Sequence, residues 1–256
     1  MANDDTQIGR AFIGLREMLL HGELARGERI SELPLVARLG TSRTPIRLAL
    51  ERLAHMGLLD VLPTGGFAVR GFSLAEALDA IELRGVLEGT AARFAVERLK
   101  DDSELGAMRR ACALMEALGS LTIDTFEVYM DLNESFHSAL VDLAKSAMLQ
   151  RSIAQASSLP FASASAMVFP TSVMPNAGGH LLIANDQHRS IIEAIAQRQG
   201  ARAEGLAREH AHLARRVLSV AMSDTDTLRH IPARRFCTWV HSSQPHACRS
   251  AGSRIQ

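Results

Sequence analysis

Four side chains in the second half of the chain carry the strongest chemical signal. Asn133 and His137 are four residues apart in Asp-Leu-Asn-Glu-Ser-Phe-His (131–137), a spacing that places both on one face of a helix. His188 and His210 lie on either side of Gly200. A break at that glycine folds the chain into a helical hairpin, with His188 twelve residues before the bend and His210 ten after it, at similar heights. Three imidazoles and one amide oxygen converging in this way suit a borderline divalent ion, Zn²⁺ or Ni²⁺, with positions left open for water or a ligand's carboxylate. His212, two residues past His210, is turned about 200° around the helix and stays out of the set.

A second constellation, Thr41-Ser42-Arg43-Thr44-Pro45-Ile46-Arg47, crowds hydrogen-bonding groups into the first turns of a helix whose other face is apolar. A helix that enters the major groove N-terminus first needs this arrangement. Arg43 and Arg47 share a face, so either guanidinium can form a two-pronged bond to guanine or clamp a phosphate. An isolated pair of helix arginines is more often merely solvated; the surrounding elements decide.

Those elements are legible. Ser31 is placed to cap a short helix through Leu39, closed by Gly40, and Ser42 to cap a second, with Pro45 in its first turn and Ile46, Leu50 and Leu53 along one face up to Gly57. Residues 58–62 and 67–70 read as short strands around Pro63-Thr64-Gly65-Gly66, a wing. Ile8, Phe12, Leu15 and Leu19 mark a preceding helix that ends near His21-Gly22. The expected fold is mainly α. A winged helix-turn-helix spans 8–72 after a polar, disordered stretch 1–7, and an all-α antiparallel helical bundle for effector binding and dimerisation spans 73–222. A Pro/Ser/Gly-rich passage between Ser157 and Asn185 interrupts the bundle. Residues 223–256 lose periodicity and read as an atypical, disordered tail; His230, Cys237, His241, His246 and Cys248 match no zinc-finger spacing.

Composition narrows the class. The chain has 256 residues, 47% hydrophobic, 22% charged and only 4% aromatic, which favours helix over sheet and fits no disordered class. Net charge is zero, and residues 1–72 hold nine Arg against eight Asp plus Glu, so a case for DNA rests on placement rather than total charge. Three cysteines without a paired framework, and no charged-then-apolar leader before Ile8, point to the cytoplasm. No stretch approaches the ~20 consecutive apolar residues of a membrane span.

The chain resembles the GntR family of bacterial regulators through 22–30 (Gly-Glu-Leu-Ala-Arg-Gly-Glu-Arg-Ile), 39–50 (Leu-Gly-Thr-Ser-Arg-Thr-Pro-Ile-Arg-Leu-Ala-Leu) and Gly57-Leu58-Leu59. That resemblance implies double-stranded operator DNA as a partner, with Ser42, Arg43, Thr44 and Arg47 as contacts and Gly65 and Gly66 approaching the minor groove. Leu48 departs from the family's usual Glu.

Residues 73–220 resemble the fatty-acid-regulator branch of that family, which carries an FCD ligand-binding domain. The likeness rests on Asp-Ala-Ile-Glu-Leu-Arg-Gly-Val-Leu-Glu-Gly (79–89), on Asn133 to His137 and on the His188 to His210 spacing. It implies a divalent metal held by Asn133, His137, His188 and His210. Many members have Asp at the first position, so Asn133 leaves the site one negative charge poorer. The branch often uses the arginine equivalent to Arg84 to hold an effector's carboxylate; an Arg84–Glu88 ion pair at helical spacing is the competing reading. Residues 159–170 are placed to wall an apolar pocket. Within the branch, Asp79 to Ala92 and 133–137 look most like vanillate-responsive repressors, which implies a small aromatic acid.

The expectation is therefore a homodimeric DNA-binding transcriptional regulator, a repressor and not an enzyme, that responds to a small organic acid. Two alternatives share the three-histidine set: a metal-dependent enzyme, for which no general base is evident beside the site, and a regulator that senses the metal itself.

Overall fold

The computed structural model describes residues 2–20, 23–119, 121–159, 161–169, 172–174 and 177–223. Expectations for the tail from residue 224 onward and for the cap at His21-Gly22 lie outside the described residues.

The N-terminal part consists of α1 (Ala2–Leu20), α2 (Glu32–Leu39), α3 (Arg43–His55) and a hairpin of β1 (Leu59–Val61) and β2 (Phe67–Val69). The strands pair antiparallel, Leu59 opposite Val69 and Val61 opposite Phe67. Residues 27–30 run along the other edge of β2, where the Ile30 amide donates to the Phe67 carbonyl (2.8 Å) and the Val69 amide to that of Glu28 (3.1 Å). Leu15, Leu19, Ile46, Leu50, Leu53, Leu58 and Phe72 are buried together; each such side chain contributes about 1.5–3 kcal/mol by leaving water.

Two local expectations change. Helix α1 begins at Ala2, so residues 2–7 are helical rather than disordered. No glycine or proline precedes Gly9, and a helix already nucleated on its apolar face adds one hydrogen bond per residue as it extends. Ser31 and Ser42 occupy the N-cap positions in extended conformation, but neither side chain accepts a capping bond. Ser42 is solvent-exposed, so its hydroxyl stays available to a partner.

The second part is helical: α4 (Leu74–Arg98), a 3₁₀ turn (Asp102–Leu105), α5 (Gly106–Ala117), α6 (Ile123–Leu143), α7 (Ala147–Ala156), α8 (Ala177–Ala196) and α9 (Gly200–Met222). Ser73 and Glu76 form a reciprocal capping box that starts α4. Helix α8 begins at Ala177, earlier than the expected end of the irregular passage at Asn185, because Gly178 and Gly179 are tolerated inside its first turn. Gly200 opens α9, giving the α8–α9 hairpin.

Helices α4 and α9 approach very closely. A Cβ at Gly89 would lie 2.9 Å from the Glu204 carbonyl, and one at Gly85 would lie 2.8 Å from the Ala211 methyl. The absence of side chains at these two positions is what allows the contact.

The two parts share one core. Phe72, just before α4, meets Phe161 edge-on at 5.1 Å, and Leu213, Val217 and Leu218 of α9 join the same apolar cluster. Ser158 Oγ donates to the Met56 carbonyl at the end of α3 (3.4 Å), and Gln155 Nε2 to that of His55 (3.4 Å). No helix among the described residues is long and apolar enough to cross a membrane.

Candidate effector and DNA sites

Three helices bring the expected ligands together. Helix α6 supplies Asn133 and His137, α8 supplies His188, and α9 supplies His210; all four are buried. His210 Nε2 stands 3.2 Å from His188 Nε2 and 3.3 Å from His137 Nε2, and one nitrogen from each ring falls within a 4.8 Å circle. Two nitrogens bound at ~2.05 Å to one tetrahedral zinc would be about 3.3 Å apart, so the spacing fits such an ion.

The proton positions strengthen that fit. His210 Nδ1 lies 3.1 Å from the Gln187 amide oxygen, which can only accept, so the proton belongs on Nδ1 and Nε2 carries a lone pair. His137 Nδ1 lies 3.2 Å from the buried Glu88 carboxylate, within reach of charge attraction but not aligned as a hydrogen bond. The His210 Nε2 lone pair then points at His137 Nε2 across 3.3 Å among buried side chains, an arrangement that a cation between them would stabilise.

Burial, reinforced by the neighbouring imidazoles, pushes His188 well below the ordinary imidazole range. His210 is held down to about 3 by burial and by His137. Burial pushes the Glu88 carboxyl up, but His137 and Arg84 outweigh it and hold it at about 2. Burial thus favours the neutral form of His188 and His210, with the charged Glu88 carboxylate just behind His137.

Asn133 lies beside the histidines and donates from Nδ2 to Ser165 Oγ (3.1 Å), which in turn donates to the Met130 carbonyl (3.2 Å). A cavity of about 50 Å³ opens next to the cluster, lined by Arg84, Asn133, His180 and His210 on its polar side and by Met167, Phe169 and Leu213 on its apolar side. Space of that size holds about three or four waters, or a small part of an organic ligand. The 159–170 passage supplies one wall through Ala164, Met167, Val168 and Phe169.

Arg84 is 2% exposed and stands 3.9 Å from Glu88, beyond hydrogen-bonding distance. Its Nε and Nη1 are buried without a partner. The ion pair anticipated from helical spacing thus exists only as a loose attraction, and the guanidinium keeps unspent donors at the cavity wall.

Sequence reasoning missed Glu88, Ser165, Gln187 and His180. Glu88 was visible only as a partner for Arg84, because its contact with His137 spans two helices. His180, eight residues before His188, lines the cavity two turns along α8 with a buried, unpartnered Nδ1.

On the other part, Ser42, Arg43, Thr44 and Arg47 are all exposed at the start of α3, while Pro45, Ile46, Ala49 and Leu50 on its opposite face are buried. Arg47 reaches back toward Glu51 (3.5 Å) as an exposed pair worth little. Gly65 and Gly66 sit at the wing tip with φ of +83° and +87°, a conformation glycine adopts freely. Arg29 Nη2 donates to the Gly65 carbonyl (3.0 Å) and fastens the tip. Arg47, Gly65 and Gly66 border one groove between α3 and the wing.

Comparison with known proteins agrees with this division. The FCD domain profile matches residues 79–213, and the profile of the gntR family of bacterial regulatory proteins matches residues 9–69. The chain is 35% identical over 127 residues to the Nta operon transcriptional regulator of Aminobacter aminovorans, covering 50% of this chain and 59% of that protein. It is 27% identical over 130 residues to the HTH-type transcriptional repressor RspR of Escherichia coli K12, covering 51% and 56%. These alignments span less than two thirds of the curated relatives' lengths.

Among solved structures, E. coli McbR/YncC superposes with a TM-score of 0.60 at 19% identity, over 85% of this chain and 97% of that one. A GntR regulator from Rhodococcus sp. RHA1 gives 0.56 at 21%, over 84% and 98%. At these identities the likeness shows the fold. With the FCD profile covering more than half of its residues, the chain belongs to the GntR family of bacterial regulators that carry an FCD domain.

Proposed function

We propose that this protein is an effector-responsive transcriptional regulator, a homodimeric repressor, that reads operator DNA with α3 and the wing and senses a small organic acid in the α-helical domain. The observation that carries the sensing half is the buried histidine trio with its 3.2 and 3.3 Å nitrogen separations, beside a cavity that contains an arginine with unpaired donors. Asn133, His137, His188 and His210 would hold a divalent ion, zinc or nickel, which when bound supplies a Lewis-acidic point for one carboxylate oxygen. Arg84 would take the same carboxylate through its fork of donors. The apolar wall of Met167, Phe169 and Leu213 suits a hydrocarbon body, and the likeness of 79–92 and 133–137 to vanillate-responsive repressors favours an aromatic one.

The reading half rests on Ser42, Arg43, Thr44 and Arg47, exposed together at a helix N-terminus, and on Gly65 and Gly66 at the wing tip. A homodimer follows from the need for paired half-sites, and exposed Leu83 and Val86 on α4 offer apolar area for it. A cytoplasmic location goes with this role.

The decisive experiment is a binding titration of the full chain against duplexes from its own upstream region and against random duplex at fixed salt. A preference for one promoter duplex that changes on adding an acid is the expected result; equal affinity for all duplexes, with and without acids, would reject the reading. A metal-sensing regulator would respond to chelation alone, without any organic acid. An enzyme reading has no evident general base, since Glu134 is exposed and turned about 100° around α6 from Asn133.

A further inference from the structure

We propose that Glu88 is a positioning residue of the metal site, supplying through His137 the negative charge that Asn133 does not bring. The inference rests on the metal reading above and concerns what a site of four neutral ligands needs in order to hold a dication.

Asn133, His137, His188 and His210 together carry no formal negative charge in the form that binds a metal. Placing a divalent ion among these buried side chains leaves two positive charges to be balanced, before any acid enters, by groups one shell further out. Arg84 makes the demand greater, since its guanidinium is buried on the same wall. The carboxylate placed to answer it is Glu88, itself 2% exposed, with one oxygen 3.2 Å from His137 Nδ1.

The geometry gives that contact a direction. Glu88 faces Nδ1, the ring nitrogen on the far side from the cluster, while Nε2 of the same ring lies 3.3 Å from His210 Nε2. Attraction to the carboxylate, 3.2 Å away though not aligned as a hydrogen bond, favours the proton on Nδ1 and leaves the Nε2 lone pair pointing inward, where the polarised imidazole becomes the better donor. His210 has a weaker counterpart of this arrangement in the Gln187 amide oxygen at 3.1 Å from its Nδ1. His188 has none, because its Nδ1 is buried without a partner. Glu88 is therefore the single charged orienting group among the three, and its position one turn after Arg84 on α4 lets one side chain face the metal cluster and the other the cavity.

The test uses the full chain stripped with a chelator and titrated with Zn²⁺ against a chromogenic competitor. Glu88→Gln keeps shape and burial while removing the charge, and should weaken zinc binding roughly 10–100-fold. Asn133→Asp should tighten it, and in the Glu88→Gln background should recover most of the loss, because the missing charge returns by a direct route. Zinc affinity of Glu88→Gln within twofold of the parent, or no recovery by Asn133→Asp, overturns the proposal. In case Glu88→Gln does not fold, histidine ¹⁵N spectra of the unaltered zinc-loaded chain decide: a proton on His137 Nδ1 supports the role, and one on Nε2 overturns it. Failure of the unaltered chain to take up zinc or nickel would instead reject the metal reading, and this inference with it.

Discussion

Arg84 and Glu88 occupy successive turns of α4, both buried, with their charged groups 3.9 Å apart. They attract one another without a hydrogen bond, so the arginine's Nε and Nη1 remain unsatisfied. A buried donor with no acceptor is costly, and an entering carboxylate repays that cost. Arg84→Met should therefore lower the affinity for a responsive acid by at least about tenfold while zinc uptake is retained. Isothermal titration with benzoate, 4-hydroxybenzoate and hexanoate, on zinc-loaded protein, measures it; unchanged affinity would leave Arg84 as a structural ion-pair residue only.

The histidine cluster makes stability depend on pH. His188 and His210 are both depressed, by burial first and by neighbouring imidazoles second, His210 to about 3. In the unfolded chain each titrates near 6.5, so between the two values the unfolded state binds more protons. Stability of the metal-free protein is thus complete above about pH 6.5 and falls below it, with a slope on the order of 1.4 kcal/mol per pH unit per histidine. Denaturant melts in chelator at about pH 7.5 and about pH 5.5 should show the loss, and His210→Gln should reduce it. Coincident midpoints for the parent protein at the two pH values would contradict the argument.

On the DNA side, Arg47→Ala should weaken binding to the preferred duplex by about 1–3 kcal/mol, or roughly 5- to 150-fold, if the guanidinium reads a base edge. If it clamps a phosphate, binding to all duplexes weakens together and the salt slope falls by about one. The thermal midpoint should not move, since Arg47 is exposed and its pairing with Glu51 is loose. An unaltered titration curve would remove Arg47 from the interface.

Gly89 allows α4 to approach α9, and a methyl there would meet the Glu204 carbonyl at 2.9 Å and Arg208 Cγ at 2.7 Å. Gly89→Ala should destabilise the helical domain by about 1–3 kcal/mol despite alanine's better helix propensity, because backbone rather than a flexible tip must give way. Zinc affinity should fall as well, since the change displaces His210 relative to Glu88. A melting temperature equal to or above that of the parent would show that the helices can separate freely.

Much of this was legible from local pattern. The α2–α3 boundaries, the wing and the Ser73 start of α4 follow from residues within a few positions of one another, and the structure places them within a residue or two of expectation. The histidine trio was also visible, because i and i+4 spacing and a hairpin about Gly200 are short-range facts. Contacts between distant segments were not. The link from Glu88 to His137 joins α4 to α6, and that from Asn133 to Ser165 joins α6 to an irregular stretch without periodicity. Helix α1 started earlier than expected because polarity marks exposure and not the absence of helix.

One stretch of chain has two duties. Ser158 is hydrogen-bonded to the last residues of α3, Phe161 is wedged against Phe72, and Ser165, Met167 and Phe169 face Asn133 or the cavity. Across the cavity, α4 and α9 pack closely at Gly85 and Gly89. On the proposed reading, an acid too large for the present space would displace this segment first, and the displacement would reach the end of the DNA-reading helix. On that reading, occupancy would be translated into leverage on the operator through about a dozen residues of the helical domain, while its α4–α9 pair stays packed.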